Sequence, residues 1–228
     1  MARSVRSYST DFENTEDPIS EGGMWLNGRK DGIDWIDVIS GGGVGYGAVS
    51  RMGVPEKRVE QGNLDETDAA PLGDYDDPTA VLTGEWGPDQ HGKATVYSKN
   101  PTAEYFQEVQ FRLRHTMNPH SCTGYEVFWR CLKAEGAYVE IVRWDGAVGN
   151  WHSLARRAGA EFGVSHGDRI EATIVGNVIT GYVNGDEVVS TIDDAYATGA
   201  PGIGFNFGVG DTNVDHGLSH FEVETFTG

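Results

Sequence analysis

The sequence predicts an all-β chain: a sandwich of two antiparallel sheets. Three observations lead there. Apolar and polar residues alternate with a period of two in segment after segment. Turn formers are dense, with 32 Gly and 8 Pro in 228 residues, enough to divide the chain into many short strands. No segment sustains a helical period. The best helical candidate, SLARRAGAEF at 153–162, is short and interrupted by Gly.

In chain order, strands are expected at SYSTDFE (7–13), WIDVI (35–39), AVLTGEW (80–86) and KATVYS (93–98). Three well-patterned strands follow. YFQEVQFRLR puts Val109, Phe111 and Leu113 on one face and Gln110, Arg112 and Arg114 on the other. YEVFWRC divides Tyr125, Val127 and Trp129 from Glu126, Phe128 and Arg130. YVEIVRW divides Val139, Ile141 and Arg143 from Tyr138, Glu140, Val142 and Trp144. Five more strands are expected at DRIEATIVG, VITGYVNG, EVVSTI, GIGFNFG and HFEVETF. Between VITGYV and EVVSTI, Asn184-Gly185 reads as a two-residue hairpin turn, because both residues tolerate positive φ. The glycine run GGGVGYG (41–47) lacks the Lys-Ser/Thr of a phosphate loop and no helix follows it, so it reads as a glycine-rich strand or turn.

No linker or internal repeat divides the chain, so one domain is expected over 1–228, with a long acidic loop around 50–79. The formal net charge of -18 repels phosphate backbones and anionic surfaces, which argues against nucleic acid as a partner. No apolar run is long enough to insert in a membrane, and the first residues lack the apolar core of a signal peptide. Location and oligomeric state stay open. Cys122 and Cys131 flank a single strand, too far apart for a disulfide, so two free thiols are expected.

The order of these segments, with DFEN near the start, AVLTGEWGPDQHGKATV, GYEVFWR, YVEIVRWDG and the run from Gly167 to Phe205, resembles the concanavalin A-like lectin/glucanase superfamily, and within it the LamG-like jelly rolls. That resemblance implies a two-sheet jelly roll whose curved front sheet binds or cleaves polysaccharides in many members. It also implies a structural Ca²⁺ on the convex side, for which Asp11, Glu13 and Asp215 near the chain ends are the candidate ligands. The E-x-D-x-x-E strand of the family's glucanases is absent, and so are the signature strands of its alginate lyases.

The expected function is carbohydrate recognition on the concave sheet. Gln110, Arg112, Arg114, Arg130, Trp144 and Trp86 are the candidate ligand-binding residues. Arginine beside an aromatic ring suits an acidic glycan, through bidentate anion contacts and stacking on a pyranose face. The enzyme alternative is a polysaccharide lyase or glycoside hydrolase using Glu126, Glu140, Tyr138 or His91, with His91 near the rim of the same sheet. A third class is a structural module that decorates a larger assembly such as a virion. His115 and His120 come close together in HTMNPHSC, but no carboxylate accompanies them to suggest a metal site.

Overall fold

The computed structural model describes residues 3–27, 36–48, 77–103, 107–118, 121–147, 149–206 and 213–227. Among these there are fifteen strands and no α-helix. The strands are β1 (Arg3–Thr10), β2 (Trp25–Asn27), β3 (Val38–Gly41), β4 (Val44–Gly47), β5 (Thr79–Leu82), β6 (Asp89–Ser98), β7 (Glu108–Asn118), β8 (Ser121–Arg130), β9 (Tyr138–Gly146), β10 (Trp151–Ala158), β11 (Arg169–Val175), β12 (Val178–Val183), β13 (Asp186–Ile192), β14 (Ala200–Asn206) and β15 (His216–Thr227). Of the expected acidic loop, only 77–79 falls within the described residues, and His120 lies outside them.

The strands form two antiparallel sheets. The eight-stranded sheet runs β13-β12-β11-β6-β15-β4-β3, with β1 also paired to β15. β15 is long enough to pair with β6 along its whole length, while β4 meets it at Leu218 and β1 pairs with the rest, as in Thr10 with Phe221. The seven-stranded sheet runs β10-β9-β8-β7-β14-β5-β2. Neighbours distant in sequence, such as β14 between β7 and β5, are what a jelly roll requires.

The alternation in the sequence places the core correctly. Val109, Phe111 and Leu113 of β7, Tyr125, Val127 and Trp129 of β8, and Val139 and Ile141 of β9 pack inward. They meet Ala94, Val96, Ile170, Ile174, Phe221 and Val223 from the other sheet. Both cysteines are buried, and they are not joined in a disulfide. The run GGGVGYG is the β3–β4 hairpin.

Two strands, β2 and β10, lie outside the expected set. The helical candidate 153–162 supplies β10 and then a single 3-10 turn at Ala160–Phe162. β9 offers ladder partners from Trp151 to Ala158, and that tertiary pairing outweighs a weak local helix preference.

The Asn184-Gly185 turn is present. Val183 pairs with Asp186 across it, and φ is 55° at Asn184 and 89° at Gly185. The Asn184 side chain ties the turn to β11, accepting from the Arg169 amide and donating to Asp168. A Cβ at position 185 would meet nothing within 4 Å, so a substitution there acts only through the backbone. Gly185→Val is expected to destabilise the fold by about 1–2 kcal/mol, because a β-branched residue must take positive φ. Chemical denaturation of the variant checks this, and an unchanged midpoint would contradict it.

Candidate functional site

The face of the seven-stranded sheet turned away from the core carries the residues that alternate with Phe111, Val127 and Ile141. Register brings them together. Arg112 lies opposite Glu126, Gln110 opposite Phe128, and Glu108 opposite Arg130. On the next strand Glu140 lies opposite Phe128, and Trp144 opposite Gly124. On the edge strand Arg156 pairs with Glu140, and Trp151 with Trp144.

The sequence pattern assigned these residues to one side correctly, with the exception of Arg114. The expectation that this face is an open groove is corrected: its members are buried. Arg112 is 0% exposed and Trp144 6%, and Gln110, Glu126, Arg130, Tyr138 and Glu140 are buried as well. Val81, Met117, Cys122, Phe128, Tyr138, Val142 and Trp144 form a second apolar cluster on this side. The centre of this face is therefore closed to solvent.

Two polar chains run through this layer. In the first, Arg112 donates to Glu126, to Asp77 at 3.1 Å, to Thr79 at 2.9 Å and to Gln110 at 2.8 Å. Trp144 Nε1 donates to the same Glu126 oxygen at 2.6 Å, and the Arg112 guanidinium stands 5.6 Å from the Trp144 ring. In the second, the Tyr138 hydroxyl donates to Glu108, the Arg156 guanidinium lies 3.9 Å from the Tyr138 ring centre, and Arg156 donates to Glu140 at 2.5 Å.

Carboxyls crowd this layer, and burial sets their protonation. Burial pushes Glu126 up to about 8, aided by Asp77 and opposed by Arg112 and Trp144. Burial raises Glu108 to about 7 against the hydrogen bond from Tyr138. It also raises Asp77, against the attraction of Arg112. Arg112 thus stands between the buried Glu126 and the half-buried Asp77, and it opposes the rise in both.

The other expected site residues lie elsewhere. Arg114 sits at positive φ where the β7–β8 register shifts, and its guanidinium donates to the carbonyls of Pro88, Tyr196 and Gly176. It pins loops together and does not line the face. Arg130 is spent on the carbonyls of Gly136 and Ala103. Trp86 is a core residue that donates to the Thr83 carbonyl, with Arg6 stacked 4.0 Å above its ring. His91 is not at the rim of this sheet. It projects from β6 on the outer face of the other sheet, 2.8 Å from Glu171 and 3.9 Å from Glu224. Of the proposed calcium ligands, Asp11 pairs with His220 at 2.6 Å and Glu13 is exposed. Asp215 precedes β15, about 15 Å along the strand from His220 at the usual rise per residue. The three are not brought together, and among the described residues no group of three or more His, Cys, Asp or Glu is placed to hold a metal.

Sequence reasoning missed Glu108, Asp77, Arg156 and Trp151. Glu108 continues the 108-110-112 alternation and was legible. Asp77 lay in the acidic stretch read as loop, and Arg156 and Trp151 became visible only through β10.

The raised carboxyls give stability an unusual pH dependence. A carboxyl with a raised folded pKa favours the fold fully below its unfolded value, and that contribution is lost as pH climbs through the folded value. Folding stability should therefore fall from about pH 4.5 to about 8, the window of Glu126, with Glu108 contributing up to about 7. Glu126→Gln keeps an acceptor for Arg112 and Trp144 but cannot ionise. Denaturation midpoints measured across this range should decline less steeply in the variant. Parallel curves for the two proteins would refute the assignment.

Comparison with known proteins bears on the fold. No protein-family model and no curated protein sequence matches the chain. Solved structures do. The carbohydrate-binding module CBM66 from Bacillus subtilis is similar over 92% of this chain and 97% of its own, with a TM-score of 0.55 and 10% identity. The potassium-bound carbohydrate recognition domain of Emp46p is similar over 95% of each chain, with a TM-score of 0.56 and 11% identity. A β-glucanase of Bacillus licheniformis covers 97% of this chain with 98% of its own, at a TM-score of 0.51 and 11% identity. The strand order, the two packed sheets and these likenesses together identify the fold as a two-sheet antiparallel jelly roll, shared with these carbohydrate-binding and glucanase structures.

Proposed function

We propose that the chain is a carbohydrate-recognition module, and that a glycan binds on the outer face of the seven-stranded sheet along β9 and β10. One observation carries this reading. At that border the buried polar layer comes up to solvent. Tyr138, Glu140 and Trp144 of β9 are buried, whereas the Arg156 side chain is 48% exposed and Trp151 is partly exposed. The border thus offers an indole and a guanidinium held over a phenol ring, positioned by buried neighbours. Aromatic faces stack on the C–H face of a pyranose, and a planar guanidinium donates to vicinal hydroxyls. The names of CBM66 and of the Emp46p domain, both carbohydrate-binding, support the same reading.

The expected acidic ligand is revised. Arg112, Arg114 and Arg130 are committed to oxygens of the protein itself and form no anion-gripping strip. Arg156 is neutralised by Glu140. An uncharged pyranose suits this border better.

Glycan-array binding, followed by affinity electrophoresis on the best hits, tests the proposal. Trp151→Ala is expected to weaken binding by about 1–3 kcal/mol with little change in melting temperature, whereas Arg156→Ala should weaken binding and also lower stability, because it leaves Glu140 without its partner. If both variants lose stability but not affinity, the border is scaffold and the proposal fails.

A second reading, glycoside hydrolysis, is favoured by one feature. Glu126, whose pKa burial pushes up to about 8, lies on the same face as Glu140, and such chemistry uses a pair of carboxyls. Reducing-sugar release that disappears in Glu126→Gln, while binding persists, would establish it over simple recognition.

A further inference from the structure

β10 and β13 are the end strands of the two sheets, and among the described residues neither has a second ladder partner. They run beside each other at one margin of the sandwich. Arg143, the ladder partner of His152, donates to Asp193 at 2.7 Å, so the start of β10 stands by the end of β13 and the two strands run in opposite directions. Each strand carries one bulge. Leu154 is the extra residue of β10 and Val188 that of β13, and both pack against the core. The residues on the outer faces are therefore spaced two and then three apart along β10, as Trp151, Ser153 and Arg156. Along β13 they are spaced three and then two apart, as Glu187, Ser190 and Ile192. Read in opposite directions, the two spacings match.

The two strands also differ in charge. β10, WHSLARRA, holds two arginines and a histidine and no acid, in a chain of net charge -18. β13 opens with Asp186 and Glu187. Asp186, Glu187 and Arg157 are exposed and make no ion pair among the described residues, and Arg157 leans on the Phe162 ring at 4.8 Å. Ile192 at the other end of β13 is 69% exposed, more than any other large apolar side chain among the described residues. Long-range repulsion opposes self-association of so acidic a chain, so a contact between copies needs local complementarity of this kind.

We propose that a second copy of the chain docks at this margin in an isologous dimer, with β10 of each copy beside β13 of the other. A two-fold axis parallel to the strands exchanges the two layers and keeps the strand directions, so both junctions form together and the assembly closes at two chains. Residues at the same height then meet. On the outer face Trp151 meets the partner's Ile192, Ser153 the partner's Ser190, and Arg156 the partner's Glu187. On the other face Arg157 meets the partner's Asp186. A bulge on an edge strand ordinarily discourages pairing with another chain. Here the two bulges fall opposite each other, and the register is kept on both sides of them. Opposite charges across neighbouring strands favour this contact. The alternative two-fold, which sets β10 against β10, offers the arginines no acid. Trp151 and Arg156 remain on the outer face, so the dimer does not depend on the carbohydrate reading.

Sedimentation equilibrium of the full chain over a dilution series is the test. The mass should rise from one chain to two with concentration and stop there. Arg157→Glu and Asp186→Lys change exposed residues outside the glycan border, and each sets like charges opposite each other at both junctions. Each single variant is expected to weaken dimerisation by about tenfold. Combining Arg157→Glu with Asp186→Lys restores opposite charges and should restore association, which also excludes misfolding as the cause of the single losses. Ile192→Ser should weaken association as well. A chain that stays monomeric, a mass that climbs beyond two chains, single variants that associate like the parent, or a double variant as weak as the singles would each overturn the proposal. Mass is the readout, so failure to bind any glycan would leave the dimer standing.

Discussion

The Arg112 guanidinium carries a charge at a point from which water is excluded, and the seven-stranded sheet is arranged around it. Glu126 comes from β8, Gln110 from β7 itself, Thr79 from the start of β5, and Asp77 from just before it. Gly204 on β14 leaves room: a Cβ there would come within 2.4 Å of Gln110 Oε1 and 3.0 Å of Arg112 Nε. Removing one partner from such an ion pair costs about 3–5 kcal/mol, because the charge left behind is buried and uncompensated. The register of β5, β14, β7 and β8 is thus fixed by one cation as well as by their apolar faces.

Compensation overshoots. Asp77, Glu108, Glu126 and Glu140 outnumber the cations that reach them; burial raises the pKa of the first three, and Tyr138 and Trp144 add hydrogen-bond donors. This is why the polar side of the sheet does not behave as a charged groove. Its arginines and carboxyls hold one another, and at the β9–β10 border Trp151 and Arg156 bring this layer up to solvent.

The two outer faces show how much context changes the same ingredients. On the eight-stranded sheet, His91 with Glu171 and Lys93 with Glu222 form part-exposed pairs across neighbouring strands. Pairs of that kind are worth little individually. On the seven-stranded sheet similar residue types, shut away from water, become the organising network of the fold.

The sequence by itself determined the architecture and the sidedness of its strands. Alternation at a period of two is a local property of the backbone, so Val109, Phe111 and Leu113 had to face one way and Gln110 and Arg112 the other. The Asn184-Gly185 turn was equally local, set by which residues accept positive φ. Alternation cannot say what lies beyond a face, and so the burial of Arg112, Glu126 and Trp144 was not legible in it. Nor could it say that Arg114 would leave the row at a register shift, that His91 would belong to the other sheet, or that 153–158 would be recruited into an edge strand by β9. Those outcomes depend on hydrogen bonds and packing between segments far apart in the chain, and only the tertiary structure decided them.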